Sequence, residues 1–361
     1  MMTEDYLVPE ANPVVREDLE RITAADLPWE QLRDKTILVT GGGGFLAAYM
    51  IKSLLCASRR YGLNAHVICV ARSHNSVERR LASCIGAADF SIVEHDIAQP
   101  LHAGFPSADI IVHAASQASP KYYGVDPVGT LMANSAGTHY LLQHAIASGC
   151  GKFVFFSSGE VYGIPRDGAR QLDEQDYGYL DPMNVRSCYA ESKRIGETMC
   201  VAWGQQYGIH TSVIRPFHTY GPGIALDDGR VFADFVADVV AKRDIVLKSD
   251  GLAQRPFCYI ADATVGFLTV LLKGGNGQAY NVGNPAAEIS IAELAQVVAG
   301  LFPERGVGVR FEVPAASSSY LQSPVARSCP DVTKIRGLGW VPGTGVAHGF
   351  HRTIASFLVS E

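Results

Sequence analysis

The feature that most limits how this chain can fold is a series of short, wholly apolar runs alternating with helical patterns. Thr36–Val39 (TILV), Ala65–Val70 (AHVICV), Ser91–Val93, Asp109–His113 (DIIVH), Phe153–Phe156 (FVFF) and Thr211–Ile214 (TSVI) read as strands. Phe45–Ala57, Val77–Ser83, Val128–Ser148 and Tyr189–Tyr207 read as the helices between them. A strand that is apolar at every position needs cover on both faces, and a parallel sheet with helices on each side provides it. Right-handed crossovers then predict an α/β fold with a doubly wound, Rossmann-type sheet. After Pro216 the regularity breaks, and Gly, Pro and Asp accumulate through 221–229. A helix over 231–241 and a strand over 245–247 follow, and 259–272 and 279–283 read as elements returning to the first sheet. A helix from Ile291, a strand near 309–313 and a final helix complete a smaller lobe.

This pattern predicts an N-terminal extension (1–34) and a nucleotide-binding domain of 35–216 plus about 257–283. A smaller α/β lobe of 217–256 plus about 284–361 would hold the second ligand, in a cleft between the two. Within the extension, Asn12-Pro13 followed by Val14, Val15, Leu19 and Ile22 reads as an N-capped helix with one apolar stripe, serving packing or a subunit contact.

Composition excludes other classes. Over 361 residues, 47% are hydrophobic and 18% charged, so a core can form and global disorder is ruled out. A net charge of −6 argues against a nucleic-acid polymer as partner, since phosphate contacts need clustered cations. No apolar run approaches the ~20 residues that span a bilayer, and the acidic N-terminus lacks a secretory signal pattern. Eight cysteines without a CxxC pair read as reduced thiols of a cytoplasmic protein, and eleven histidines without HxH or HxxxH spacing suggest no metal site.

Two constellations bear chemistry. Thr40-Gly41-Gly42-Gly43-Gly44-Phe45-Leu46-Ala47 follows the first strand and opens a helix. Such a turn lets backbone approach a pyrophosphate while the helix N-terminus offers N–H donors. A glycine run alone can be only a turn; its place after the first strand of an alternating pattern makes it informative. Ala47 stands where a third glycine is expected. At the end of the second strand, Ala71-Arg72 replaces the acid that would hold a ribose 2′-OH. Arg72 therefore either stacks on adenine or receives a 2′-phosphate, which leaves NADP open beside NAD. Asp96 is the candidate partner for the adenine amino group.

The second constellation joins Ser157-Ser158-Gly159-Glu160-Val161-Tyr162-Gly163, at the end of the fifth strand, to Tyr189-Ala190-Glu191-Ser192-Lys193. Tyr189 and Lys193, four apart, share one helix face. A lysine ammonium beside a phenol favours the phenolate, making Tyr189 a base for a sugar hydroxyl whose carbon a nicotinamide oxidises, with Ser158 orienting the oxygen. YxxxK alone is common and mostly structural; following the glycine turn and SSxE in this order, it is specific.

These motifs, with HAASQASP, NSAGT, RPFHTYGPG, DDGRV, QRPFCYIAD, YNVGNP and LGWVP, resemble the extended short-chain dehydrogenase/reductase family of NAD-dependent nucleotide-sugar epimerases and dehydratases, from about Lys35 to nearly the C-terminus. Within it, RSCYAESKR, ETMC, Ala118-Ser119-Pro120 and Asp228-Gly229-Arg230-Val231 are most similar to the UDP-glucuronate decarboxylase (UDP-xylose synthase) branch. The resemblance implies Ser158, Glu160, Tyr189 and Lys193 as catalytic residues. It implies Gly41, Gly44, Phe45, Leu46, Arg72, Asp96, Ile97, Ala114, Ala115, Tyr189, Lys193 and Pro216 around NAD. Ser116, Tyr122, His218, Arg230 and Arg255 would meet a nucleotide-diphosphate sugar. It also implies a homodimer paired through helices 128–148 and 189–207, and a reaction in which sugar C4 is transiently oxidised and CO2 leaves. A 4-epimerase, a 4,6-dehydratase and, last, a non-catalytic NAD-binding protein are the alternatives. Three departures bear on the choice: Gly159 replaces the dehydratase aspartate, while His218 and Gly223 replace an asparagine and an arginine of the decarboxylases.

Overall fold

Ile37, Leu38 and Val39 of β1 (Thr36–Thr40) alternate faces, and all three are fully buried. Burial of each contributes about 1.5–3 kcal/mol. The computed structural model describes residues 6–165, 171–312 and 325–359, and shows what covers each face. Ile37 and Val39 pack in one cluster with Met50, Ile51 and Leu54 of α2 (Phe45–Tyr61). Leu38 packs in another with Leu141 and Leu142, from the helix that leads into the fifth strand.

The remaining elements of the first half follow in chain order: α1 (Pro13–Thr23), β2 (His66–Ala71), α3 (His74–Leu81), β3 (Phe90–Glu94) and β4 (Ile110–His113). Then come α4 (Pro127–Asn134), α5 (Ala136–Ala147), β5 (Lys152–Phe156), α6 (Ser187–Tyr207) and β6 (His210–Pro216). The second half comprises β7 (Thr219–Tyr220), α7 (Val231–Val240), β8 (Ile245–Leu247), β9 (Gln254–Pro256), β10 (Cys258–Tyr259) and α8 (Ile260–Lys273). β11 (Gln278–Val282), β12 (Glu288–Ser290), α9 (Ile291–Gly300), β13 (Val309–Phe311), α10 (Thr333–Arg336) and α11 (Val346–Leu358) complete it.

Seven strands form one parallel sheet in the order β3-β2-β1-β4-β5-β6-β11, the doubly wound arrangement expected. Its order reverses between β1 and β4, and a crevice opens there at the strands' C-terminal ends. Three two-stranded ribbons, β7–β10, β8–β13 and β9–β12, lie outside it.

Two readings change. The single helix expected over 128–148 is two helices, α4 and α5, meeting at Ser135. The Ser135 hydroxyl donates back to the Leu131 carbonyl at 2.7 Å, and its backbone sits at φ −103°, ψ −72°. Such back-bonding bends helices. The strand near 309–313 spans Val309–Phe311, and residue 313 lies outside the described residues.

The leader helix α1 is part of the core. Asn12 caps it by accepting from the N–H groups of Val14 and Val15, and Val15, Leu19 and Ile22 are buried. Between them Asp18 is also buried, and it accepts from Tyr49 Oη (3.2 Å), Tyr259 Oη (2.8 Å) and Arg352 Nη2 (2.9 Å). These bonds tie α1 to α2, β10 and α11. Removing the carboxylate takes the acceptor from two buried phenols and one of the two counter-charges from Arg352, which keeps Glu17 at 2.7 Å. Asp18→Ala should therefore destabilise the protein by at least ~2 kcal/mol. Thermal unfolding reads this directly, and an unchanged midpoint would contradict the anchoring role.

Candidate active site

The crevice between β1 and β4 is held by the Thr40 hydroxyl. It accepts from the N–H groups of Ala114 and Ala115, both at 3.1 Å, and lies 2.8 Å from His113 Nδ1. With both acceptor positions used, the hydroxyl is left to donate, so Nδ1 accepts and the His113 Nε2–H points to the Ala133 carbonyl at 3.2 Å. Burial lowers the His113 pKa to about 3, so the ring is neutral.

Against this brace lies the glycine turn. Gly41 has φ +76°, and a Cβ there would lie 2.7 Å from Ala115 Cα. At Gly42 a Cβ would lie 2.2 Å from Cys69 Sγ, and at Gly43 2.4 Å from Ser76 Oγ. The next helix, α2, begins without a side-chain cap, so its first N–H groups open into the cleft. A backbone cradle with unsatisfied N–H donors and no room for side chains fits the pyrophosphate of a dinucleotide.

Gly41, Gly44, Phe45, Leu46, Ala114, Ser116, Tyr122, Ser158, Glu160, Tyr189, Lys193, Pro216, His218, Arg230 and Arg255 all line one cleft of about 1690 Å³. That volume exceeds the ~300–1,000 Å³ of a pocket for one drug-sized ligand. Ala115 sits behind Gly41. Three further expected positions lie off the cleft wall. Arg72 is exposed just past β2, Asp96 is exposed and accepts from the Ala98 N–H at 3.0 Å, and Ile97 is buried beneath Gly137.

The polar wall is built by the end of β5 and the first turns of α6. The Ser158 hydroxyl accepts from the Glu160 N–H at 3.2 Å and stands near enough to the Tyr189 phenol to favour its charged form. Lys193 is buried, donates to the Phe156 carbonyl at 2.6 Å, and has its Nζ 5.7 Å from the Tyr189 ring centre. The expected lowering of the tyrosine pKa is not what this arrangement produces. Burial pushes Tyr189 up to about 12, opposed by the Ser158 hydroxyl. Burial likewise pulls Lys193 down to about 7, opposed by Glu197. The ammonium is spent on a carbonyl and on the ring face rather than on the phenolic oxygen, so desolvation dominates.

Several side chains to which the motifs assign no role complete the wall. Tyr123 stacks on Tyr189, with centroids 5.1 Å apart at 16°. Arg186 pairs with Glu160 at 3.2 Å, and its Nε is buried without a partner. Glu197 accepts from Ser157 Oγ and from Arg215 Nε (2.9 Å) and Nη2 (2.6 Å), fixing α6 against the end of β5. Its spacing of four from Lys193 was the available signal.

The substrate candidates differ in state. Ser116 Oγ and His218 Nδ1 are buried without partners, and burial lowers His218 to about 3, leaving a neutral imidazole. Arg230 Nη2 donates to Asp228 Oδ2 at 3.0 Å, and Arg255 donates to the carbonyls of Gln254 (2.7 Å), Val325 (2.7 Å) and Ala326 (3.0 Å).

Residues 37–283 match the profile of the NAD dependent epimerase/dehydratase family. UDP-glucuronic acid decarboxylase 6 of Arabidopsis thaliana is 33% identical over 315 residues, which are 87% of this chain and 86% of that protein. The dTDP-glucose 4,6-dehydratase of Streptomyces venezuelae, solved with NAD, superimposes with a TM-score of 0.75 at 24% identity, covering 90% of this chain and 97% of that one. The UDP-glucuronic acid 4-epimerase of Bacillus cereus, solved with UDP-glucuronic acid and NAD, gives 0.75 at 20%, covering 90% and 100%.

The two shifted pKa values set a pH prediction. Were Tyr189 to act as a base beside a charged Lys193, the working state would hold one proton between the two groups. That one-proton form fills as pH rises to about 7 and then stays constant to about 12. Log kcat/KM should therefore climb with a slope near one below the bend and run flat above it, and a bound cationic cofactor would move the bend to lower pH. A rate that falls as pH rises from 6 to 8 would contradict the assignment.

Proposed function

This chain belongs to the NAD dependent epimerase/dehydratase family, and from that membership we propose that it decarboxylates a nucleotide-linked uronic acid of the UDP-glucuronate type. Relatives named as UDP-glucuronic acid decarboxylases support the substrate. The structural observation that speaks against dehydration is Gly159. Glycine brings no acid to the place where a dehydratase needs one to protonate its leaving hydroxyl, and a Cβ there would lie 3.0 Å from the Phe217 ring, so a larger residue would require that ring to shift.

In this reading Gly41, Gly44 and the first N–H groups of α2 hold the NAD pyrophosphate, and Lys193 reaches the ribose. Bound NAD supplies a two-electron oxidation at sugar C4 and its reversal. Tyr189 takes the C4 hydroxyl proton, and Ser158 holds the same oxygen. The resulting C4 ketone makes the C6 carboxylate a β-keto acid, which loses CO2 while the bonding electrons move to C5 and the ketone oxygen. A proton returned to C5 and the reversed oxidation complete a pentose with the cofactor unchanged. Arg186, carrying an unpartnered buried Nε beside Glu160, is placed to hold the C6 carboxylate. Arg230, Arg255 and neutral His218 face the nucleotide diphosphate, in a lobe made by 217–256 and 284–361.

Mass spectrometry on UDP-, dTDP-, GDP- and CDP-sugars tests the reading, with CO2 loss expected from the glucuronate alone. Tyr189→Phe should lower kcat by at least ~100-fold while NAD remains bound; full activity of that variant would refute it.

We assign the active form as a cytoplasmic homodimer. α4 packs against α6, and the pair exposes Val128, Leu131, Met132, Ile195 and Val201. An apolar face of this kind, on two adjacent antiparallel-capable helices, fits a second copy of itself. Met132→Glu with Ile195→Glu should give a folded monomer by analytical ultracentrifugation; a wild-type protein that sediments as a monomer would remove the proposal.

A further inference from the structure

Arg80, on α3, was no part of the sequence-derived site. Its Nε donates to the Gly43 carbonyl at 3.0 Å, and its Nη1 donates to the Gly223 carbonyl. One guanidinium therefore bridges the glycine turn and the loop over 221–229. Gly223 has φ +82°, a left-handed backbone that favours glycine, and it is this residue's carbonyl that meets Nη1. The side chain is half-buried and lines the same cleft as Gly41 and Gly44.

Among the described residues no carboxylate lies within ion-pair distance of Arg80, and both of its acceptors are neutral carbonyls. Asp228, whose field reaches it, is already gripped by Nε and Nη2 of Arg230. A partly desolvated cation without a counter-charge is costly unless an anion completes it. Here it stands beside backbone N–H donors that also lack partners.

We propose that Arg80 is a ligand of the dinucleotide's pyrophosphate and at the same time clasps the 221–229 loop over it. This rests on the family's cofactor and not on which sugar is turned over. Removing the cation weakens the cofactor, and a second diphosphate bound farther along the cleft by Arg230 and Arg255 is spared.

Fluorescence titration with NADH, and calorimetric titration with UDP, at low and high salt test the proposal on wild type, Arg80→Ala and Arg80→Lys. Arg80→Ala should weaken NADH by about tenfold or more and flatten the salt dependence of its binding. UDP affinity should stay within about twofold. Arg80→Lys should keep the salt dependence, because it keeps the charge while losing the two-carbonyl bridge. Equal NADH affinity in all three proteins, or a loss confined to UDP, would overturn the assignment. So would a Lys variant that loses the salt dependence as fully as the Ala variant, since the guanidinium would then be a structural clasp. Neither titration needs turnover, so a failure of the decarboxylase reading leaves the result legible.

Discussion

The close approach of backbone to backbone at Gly41 and Ala115 is the constraint from which the rest of the site follows. The Cα atoms can meet there only because residue 41 has no side chain and a left-handed φ. The Thr40 hydroxyl then fastens the two strand ends by accepting from both Ala114 and Ala115. That contact sets the width of the crevice, aims the start of α2 into it, and fixes neutral His113 beneath. A substituent of one carbon at this point would force the two strand ends apart.

Across the crevice the chemistry rests on a different balance. Tyr189 and Lys193 are both buried, and burial moves each away from its charged form. The site therefore holds one proton between two groups, poised for transfer, rather than a standing phenolate. The frame around the pair is rigid for reasons of hydrogen bonding: Glu197 clamps Ser157 and Arg215, and Asn134 Nδ2 donates to Ser192 Oγ at 3.0 Å. These contacts hold the first turns of α6 at the end of β5, where Ser158 can reach the phenol.

The parallel sheet and its crevice were legible in the sequence because fully apolar strands such as TILV and FVFF admit few alternatives. The glycine turn and the Ser158–Tyr189–Lys193 group were legible because their spacing is tied to local geometry, a strand end or a helix turn. Arg80, Arg186 and Tyr123 were not, because each depends on a contact between segments far apart in the chain. Arg80 meets residue 223, and Tyr123 meets Tyr189. The break at Ser135 escaped for the opposite reason, since a serine inside an apolar periodicity does not announce which way its hydroxyl turns. The sign of the Tyr189 shift was misjudged because charge proximity is visible in YxxxK, whereas desolvation is set by everything packed around it.

On the proposed route, transient oxidation at C4 makes a C6 carboxylate leave while the cofactor ends unchanged. Incubating the holoprotein with UDP-glucuronate in D2O and following both gas and product by NMR tests it most directly. Decarboxylation should give one CO2 per sugar, a nucleotide pentose carrying a single deuterium at C5, and no accumulation of NADH. A six-carbon C4 epimer or a keto sugar formed without CO2 would contradict it.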